Sequence, residues 1–281
     1  MLDRFTNRFV VLSALFSLLV FASSLSAQSL PAVAPLDNPA PAEKSLETET
    51  PAPNKDDFFF KGFVHQLGSD QKSIWTSPAH IHASDAKWLV PLAAGTTVLL
   101  FEDTKISHAF DGKTSVQNTA EKVGDIGGIA TWGVPGAFLA LGKIKDNDRM
   151  VDTGERGLQA AVYSTIVMQA LKFATNRTRP YMGGNGSFFN GGDSFPSGHS
   201  MEAWALATVI AREYPDKPLV KYSMYSFATA VSLSRIANQH HYASDVLVGS
   251  SIGYLIGRFV TRNAHFVSCT SMPVNLVKGN N

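Results

Sequence analysis

Histidine, cationic and carboxylate side chains recur in three short strings in the second half of the sequence. The strings are Lys172-x6-Arg179-Pro180, Pro196-Ser197-Gly198-His199 and Ser234-Arg235-x5-His241-x3-Asp245. Transfer of a phosphoryl group needs charge compensation on the equatorial oxygens, an in-line nucleophile and an acid for the leaving oxygen. The strings supply three cations, two histidines and one carboxylate for these tasks. They therefore predict phosphoryl transfer through a histidine, with no metal required.

The first string predicts a pair of phosphate-binding cations. Lys172 and Arg179 are separated by two helical turns, so a helix would place them on one face, and Pro180 would end that helix. Arg177 points elsewhere on such a helix and is left out of the predicted site. An isolated pair of this kind is usually a solvated face, and the other two strings are what favour a binding role.

The second string predicts an anion site at the start of a helix. Gly198 lets the backbone approach a ligand closely. The free amides of a helix start bind anions, and the Ser197 hydroxyl adds a donor, although Ser197 is also a typical helix N-cap. His199 then lies where an imidazolium would protonate the leaving group.

The third string predicts the nucleophile. Arg235 offers a bidentate fork to phosphate oxygens. His241 and Asp245 are four residues apart at the start of a predicted helix, so their side chains can meet. A carboxylate on one ring nitrogen would leave the other free to attack. His240 is the competing histidine, but the spacing to Asp245 favours His241. Ser234 is interpreted as a structural residue.

Taken in order, the three strings resemble the signature of the type 2 phosphatidic acid phosphatase and vanadium haloperoxidase superfamily. The pattern K-x6-R-P, P-S-G-H, S-R-x5-H-x3-D is matched at every position between Lys172 and Asp245. The resemblance implies an all-α helical bundle with the site among its core helices. The sequence itself shows no metal-binding constellation, so we expect that no metal and no cofactor take part.

The resemblance further implies a role for each matched residue. His241 would be the nucleophile that forms a phosphohistidine, His199 the general acid that later activates water, and Asp245 the residue that orients His241. The phosphoryl oxygens would be bound by the remaining matched residues, which are Lys172, Arg179, Ser197, Gly198 and Arg235.

Apolar periodicity predicts about six core helices. We place them near residues 86–101, 126–142, 155–174, 200–213, 219–236 and 243–261. Gly249, Gly253 and Gly257 in the last helix share one face and predict the close approach of another helix. The uncharged runs within these helices are shorter than the ~20 residues of a comfortable membrane span, so we interpret them as core helices.

The chain divides into five predicted segments. They are a signal peptide (1–27), a disordered Pro/Ala-rich linker (28–55), an N-terminal amphipathic segment (56–84), the helical phosphatase domain (85–262) and a C-terminal tail (263–281). An uncleaved anchor is the alternative to the signal peptide. The amphipathic segment, with Phe58 to Leu67, is predicted to form one short helix that either docks on the bundle or lies on a membrane surface.

Composition restricts the location and the partners. The leader predicts export to the periplasm or the exterior, with a membrane-associated or integral membrane protein as alternatives. A formal net charge of +1 gives no reason to expect nucleic acid as a partner. The single cysteine excludes an internal disulfide framework and a cysteine-based zinc cluster.

The expected function is metal-independent hydrolysis of a phosphomonoester or pyrophosphate, with a phosphorylated lipid as the favoured substrate. Phe188 and Phe189, in the glycine-rich loop between the first two strings, favour an apolar substrate. Three alternatives stay open. They are a non-specific acid phosphatase that acts on small soluble phosphomonoesters, a vanadium-dependent haloperoxidase, and a module that binds phosphorylated lipids without turnover.

Overall fold

Helices form most of the backbone that the computed structural model describes, which comprises residues 55–183 and 185–262. The α-helices in these ranges are α1 (Lys55–Thr76), α2 (Ala86–His108), α3 (Thr114–Ile144), α4 (Asp148–Thr175), α5 (Gly198–Glu213), α6 (Pro218–Ala237) and α7 (Ala243–Arg262). Short 3₁₀ turns cover Ser77–His80, Ala83–Asp85 and Pro180–Met182. These ranges contain no β-strand, so the predicted all-α fold is confirmed.

The six predicted core helices correspond to α2–α7, but three of them are longer than the sequence indicated. Helix α2 ends at His108 rather than at 101, α3 begins at Thr114 rather than at 126, and α4 begins at Asp148 rather than at 155. The predictions stopped where charged residues interrupted the apolar runs. One of these charged residues, Asp103, is buried and paired with Arg177, which lies outside α2.

Helix α1 is fastened to the bundle through a buried carboxylate. Asp70, which is 6% exposed, accepts hydrogen bonds from the Tyr163 hydroxyl at 2.6 Å and from Gln159 Nε2 at 3.2 Å, both on α4. The helix has 22 residues, longer than the short helix predicted. The contacts of Asp70 support the predicted docking on the bundle for the second half of α1. The predicted signal peptide, the linker up to 54 and the tail from 263 lie outside the described residues, as do the side chains of Phe58–Phe63.

The core is built where α5 packs between α4 and α7. Its buried apolar side chains come from all three helices and are Ala160, Tyr163, Val167, Met168, Met201, Ala205, Val209, Ile256 and Val260. Helix α5 also packs on α6 through a second cluster of Ala203, Ala207, Ala228 and Val231. Because α5 begins at Gly198, this packing places the second signature string beside α4 and α7.

Glycines on α7 allow the tightest of these contacts. A Cβ added at Gly253 would lie 2.0 Å from the Met201 carbonyl oxygen, and one at Gly249 would lie 2.5 Å from the Ser197 carbonyl oxygen. Gly257 approaches the Ala205 carbonyl oxygen in the same way, at 2.6 Å. The predicted close helix approach is thus confirmed, and it fixes the start of α5 beside the start of α7.

Several apolar side chains of α2 and α3 face outward, which differs from the prediction that their uncharged runs are core. Val98 and Phe101 on α2 are 61% and 82% exposed, and Ile126 and Ile129 on α3 are 58% and 66% exposed. Helix α2 packs mainly on α7 and so buries only one side. Within the described residues no helix has both the length and the hydropathy to cross a bilayer.

We predict that Gly253→Ala destabilises the fold by about 1–3 kcal/mol or more, since the added methyl group meets backbone that cannot easily move. Gly133→Ala on α3 is the matched control, because a Cβ there has nothing within 4 Å. It should be neutral or should stabilise by roughly 0.5–1 kcal/mol, the usual gain from alanine in a helix. Chemical unfolding of both variants measures the difference, and equal effects would contradict the packing described here.

Candidate active site

The three signature strings meet at helix ends. Lys172 lies in the last turn of α4, His199 in the first turn of α5 and Arg235 in the last turn of α6. His241 precedes α7, and Asp245 lies in its first turn. Alternating helix direction thus collects residues that are far apart in the sequence.

The electrostatics of the two histidines show how close the cations are. Burial lowers the pKa of His241 well below its usual value, and the charges of Arg179, Lys172 and Arg235 lower it further. Burial likewise lowers the pKa of His199, with added contributions from the same three cations. Because charge interactions weaken with distance and screening, these contributions indicate that all three cations lie near both rings. Both imidazoles are therefore neutral while the site holds no anion.

The tautomer of His241 is set by a backbone carbonyl. Its Nδ1 lies 2.6 Å from the Ser194 carbonyl oxygen, so Nδ1 carries the proton and Nε2 keeps a free lone pair. The Asp245 carboxylate is 4.0 Å from Nδ1, so the predicted direct hydrogen bond between these side chains is not formed. The helical i,i+4 rule does not apply here, because His241 lies outside α7.

Asp245 instead supports the segment that holds His241. Its Oδ2 accepts hydrogen bonds from Ser194 Oγ at 2.6 Å and from the Tyr242 amide at 2.9 Å. Ser194 thus donates to Asp245 with its hydroxyl and accepts from the His241 ring with its carbonyl. Asp245 is connected to His241 through Ser194.

Arg177, which the sequence prediction left out, is the ion-pair partner of Asp245. It is 2% exposed and donates to Asp245 Oδ1, to Ser244 Oγ at 2.8 Å and to Asp103 Oδ2 at 2.7 Å. Burial raises the pKa of Asp245, and the Arg177 charge opposes that rise. Arg177 therefore has a supporting position, and Asp103, an acid just after the apolar run of α2, was the available signal for it.

Lys172 and Arg179 converge, but not along one helix. Helix α4 ends at Thr175, followed by Asn176 in the left-handed region with φ 42°, so the predicted helix through Arg179 is wrong. Arg179 has extended backbone before the Pro180 turn. The two cations meet at Asp193, which lies 2.6 and 2.7 Å from Arg179 Nε and Nη2 and 3.6 Å from Lys172 Nζ. Sequence reasoning missed Asp193.

The second string starts α5 as predicted, with different local contacts. Ser197 is fully buried at the N-cap position, but its side chain makes no capping hydrogen bond. It accepts from Ser200 Oγ at 3.0 Å, which leaves its own hydroxyl proton for another acceptor. A Cβ at Gly198 would press on Met168, 3.2 Å from Sδ, so this glycine also serves the packing of α5 on α4.

Glycines on α3 leave room for Arg235 and His199. A Cβ at Gly124 would lie 2.2 Å from Arg235 Nη1, and one at Gly128 would lie 3.3 Å from His199 Nε2. Arg235 is 3% exposed, and burial lowers its pKa to about 10. Its Nε and Nη1 have no hydrogen-bond partner among the described residues. A buried cation with unused donors is suited to bind an anion.

Glu202 is a further acid at the site that the sequence prediction did not include. It lies one helical turn after His199, and burial raises its pKa to about 7. The Thr165 hydroxyl is 3.2 Å from its Oε1. Its charge and that of Asp193 raise the pKa of Lys172, against the effects of burial and of Arg179. Within residues 55–183 and 185–262, no cluster of three or more His, Cys, Asp or Glu side chains is arranged to hold a metal.

Comparison with known proteins agrees with the signature. Residues 158–268 match the sequence model of the PAP2 superfamily, which confirms the resemblance drawn from the three strings. The lipid A 1-phosphatase of Porphyromonas gingivalis is 30% identical over 170 residues, a match that covers 60% of this chain and 36% of that protein. This chain thus spans about a third of that relative's length.

Two solved structures are similar to parts of the fold. The transmembrane PAP2 type phosphatidylglycerolphosphate phosphatase from Bacillus subtilis has 24% identity and a TM-score of 0.46, with 62% of this chain and 94% of that chain covered. Aquifex aeolicus LpxE has 22% identity and a TM-score of 0.41, with 52% of this chain and 85% of that chain covered.

We predict that phosphate binding weakens as pH rises above 8 through loss of the Lys172 charge. Burial, with help from Arg179, lowers the pKa of Lys172 to about 8, so its ammonium is present below that pH and is lost above it. Between pH 7 and 9 the affinity for inorganic phosphate should fall by up to about tenfold, the change in the protonated fraction.

Lys172→Arg should remove this fall, since a guanidinium stays charged in that range. Lys87→Arg, on the exposed side of α2, is the control and should behave as the wild type. Calorimetric titration with phosphate at each pH measures the effect. A wild-type affinity that stays constant between pH 7 and 9 would contradict the assignment.

Proposed function

Because residues 158–268 carry the signature and the match of the PAP2 superfamily, we propose that this protein is a phosphatase that transfers a phosphoryl group to His241 and then to water. The substrate is a phosphomonoester or pyrophosphate, and the favoured substrate class is a phosphorylated lipid. No metal takes part in the proposed reaction.

The observation that carries this proposal is the charge distribution around the histidines. Burial lowers the pKa of both His199 and His241, and the charges of Lys172, Arg179 and Arg235 lower it further, so the two histidines are neutral. A dianionic phosphoryl group would compensate the three cations at once. The Arg235 donors without partners, within the described residues, offer it hydrogen bonds directly.

In the first step the Nε2 lone pair of His241 attacks phosphorus, and the bond from phosphorus to the leaving oxygen breaks. The Ser194 carbonyl accepts a hydrogen bond from the Nδ1–H group and stabilises the positive charge that develops on the ring. His199 gives a proton to the leaving oxygen. The bound dianion raises the pKa of His199 by offsetting the cations, so His199 becomes protonated when substrate is present.

In the second step water attacks the phosphohistidine, and the phosphorus–Nε2 bond breaks. His199, now neutral, accepts the proton of that water. Inorganic phosphate leaves and His241 returns to its neutral form. Lys172, Arg179, Arg235, Ser197 and the Gly198 amide are proposed to bind the phosphoryl oxygens in both steps.

Apolar side chains beside the cations support a substrate with a hydrocarbon part. Phe173, the neighbour of Lys172, is 82% exposed, and Tyr181 and Met182, which follow Arg179-Pro180, are 56% and 57% exposed. These exposed side chains are within a few residues of the phosphate-binding cations in the sequence. This supports a substrate in which a phosphate is attached to a hydrocarbon part. The similarity to a lipid A 1-phosphatase points in the same direction.

The test measures phosphate release by the purified full chain with EDTA present. Phosphatidate in mixed micelles and p-nitrophenyl phosphate are compared at equal concentration. We expect a higher kcat/KM for the lipid, because the exposed side chains contact its acyl part. Release from p-nitrophenyl phosphate alone would favour the acid phosphatase alternative. Halide oxidation with added vanadate and peroxide, without phosphate release, would favour the haloperoxidase alternative.

Two variants test the proposed roles. His241→Ala should reduce turnover by at least about 10³-fold, since the nucleophile is lost. His199→Ala should reduce turnover of an alkyl phosphate by about 10²–10⁴-fold but should affect p-nitrophenyl phosphate much less, because nitrophenolate needs little protonation. Substantial activity in His241→Ala would exclude the proposed nucleophile.

A further inference from the structure

Among the described residues, Arg235 has no carboxylate within hydrogen-bond distance, which leaves its charge available to a phosphoryl group. The nearest carboxylate, Glu121 on α3, has its Oε2 3.9 Å from Arg235 Nη1, which is beyond hydrogen-bond distance. The contact that Arg235 does make is from Nη2 to Nδ1 of His240. His240 is the histidine that the sequence analysis set aside in favour of His241.

The direction of this hydrogen bond fixes the state of His240. The guanidinium can only donate, so Nδ1 of His240 accepts and its ring proton is on Nε2. Burial, followed by the charge of Arg235, lowers the pKa of His240 to about 3, so the ring stays neutral at physiological pH. Nε2 lies 3.5 Å from Glu121 Oε2. The ring therefore accepts from the cation without neutralising it, and its Nε2 faces the Glu121 carboxylate.

The position of His240 is itself determined by its neighbours. Asn238 Nδ2 donates to Glu121 Oε2 at 2.6 Å, and the His240 amide donates to Asn238 Oδ1 at 3.2 Å. The Tyr181 ring packs on the imidazole with 5.2 Å between centroids. The Arg179 guanidinium lies 5.9 Å from the centre of the Tyr181 ring, so this ring faces one phosphate-binding cation and the imidazole that contacts another.

The backbone before His240 is held in an unfavourable conformation. Gln239 has φ 59°, in the left-handed region that few non-glycine residues adopt. Its side chain donates to the Ser107 carbonyl at 3.0 Å and to Asp111, and it accepts from Gln117 at 3.0 Å. Contacts with α2, the α2–α3 connection and α3 thus maintain the turn that directs His240 toward Arg235. Strained backbone maintained by many contacts is typical of functional sites.

We propose that His240, held by Glu121, Asn238 and Tyr181, is a positioning residue that orients the Arg235 guanidinium toward the phosphoryl group. This inference rests on the proposed phosphatase function and adds to it. His240 touches neither the substrate nor the reacting atoms in this account, and acts only through Arg235. It explains why a second histidine lies directly before the proposed nucleophile.

The test uses two isosteric replacements in the full chain. His240→Asn keeps an amide oxygen near the position of Nδ1, where it can still accept from Arg235. His240→Gln places its amide near the position of Nε2, so it keeps the contact with Glu121 and loses the acceptor for Arg235. We expect His240→Gln to lower the affinity for inorganic phosphate and the kcat/KM for p-nitrophenyl phosphate by about 10–100-fold, the usual effect of one hydrogen bond to a charged group. His240→Asn should stay within roughly threefold of the wild type, less than the loss of such a bond.

A double-mutant cycle with Arg235→Lys separates positioning from a general structural role. Lysine cannot use the His240 acceptor in the same geometry, so His240→Gln should cost little more in that background. Equal losses in both backgrounds, or equal losses for Asn and Gln, would overturn the inference. If His240→Gln does not unfold cooperatively, His240→Ser replaces it, with the same expected loss.

These outcomes are distinct from a failure of the proposed function. A wild-type chain that binds no phosphate and releases none would refute the function itself. A wild-type chain that is active, with His240→Gln equally active, would refute only the role of His240.

Discussion

The buried ion pair between Arg177 and Asp245 is the interaction on which the site depends. It joins the segment after α4 to the first turn of α7, and Arg177 extends it to Asp103 on α2. Asp245 also receives the Ser194 hydroxyl, and the Ser194 carbonyl in turn fixes the ring of His241. Removing one partner of such a buried pair typically costs about 3–5 kcal/mol, because the other charge is left without compensation. The proposed nucleophile is therefore oriented by a network whose rearrangement would have a high free-energy cost.

A second constraint is the concentration of positive charge that faces this network. Lys172, Arg179 and Arg235 are all largely buried, and their charges add to the effect of burial in lowering the pKa values of the neighbouring histidines. Asp193 compensates two of these cations from a loop in which its own side chain stays 57% exposed. Arg235 contacts a neutral imidazole, and the Glu121 carboxylate lies 3.9 Å from it. Arg235 therefore keeps unused donors, which suits binding of a phosphoryl dianion.

The sequence predicted the parts of this arrangement that are determined locally. Residue type and spacing identified the three strings, apolar periodicity identified α2–α7, and the spacing of Gly249, Gly253 and Gly257 predicted the contact between α7 and another helix. The i,i+4 argument for His241 and Asp245 was wrong in its geometry, because a helix boundary that falls between them cannot be located to one residue from periodicity. The two side chains are connected instead by hydrogen bonds to Ser194, which no spacing rule could indicate.

The remaining differences concern residues whose role depends on distant contacts. Asp103 and Ser244 are joined by hydrogen bonds across 141 positions, and Glu121 meets Asn238 across 117. Asp193 lies in a loop whose path follows only from the folded structure. Gly124 and Gly128 indicate close packing on α3, but the partners, Arg235 and His199, become evident only when α3 and α6 are placed together. Pairings of this kind require the tertiary structure.

The most direct test of the account is to locate the phosphoryl group during turnover. His199→Ala should slow hydrolysis of the intermediate, so the variant is mixed with p-nitrophenyl phosphate, stopped with alkali to preserve phosphohistidine, digested and analysed by fragmentation mass spectrometry. The account predicts one added phosphoryl group on His241 and none on the adjacent His240. A phosphoryl group on another residue, or turnover with no covalent intermediate at any time point in the variant or the wild type, would contradict it.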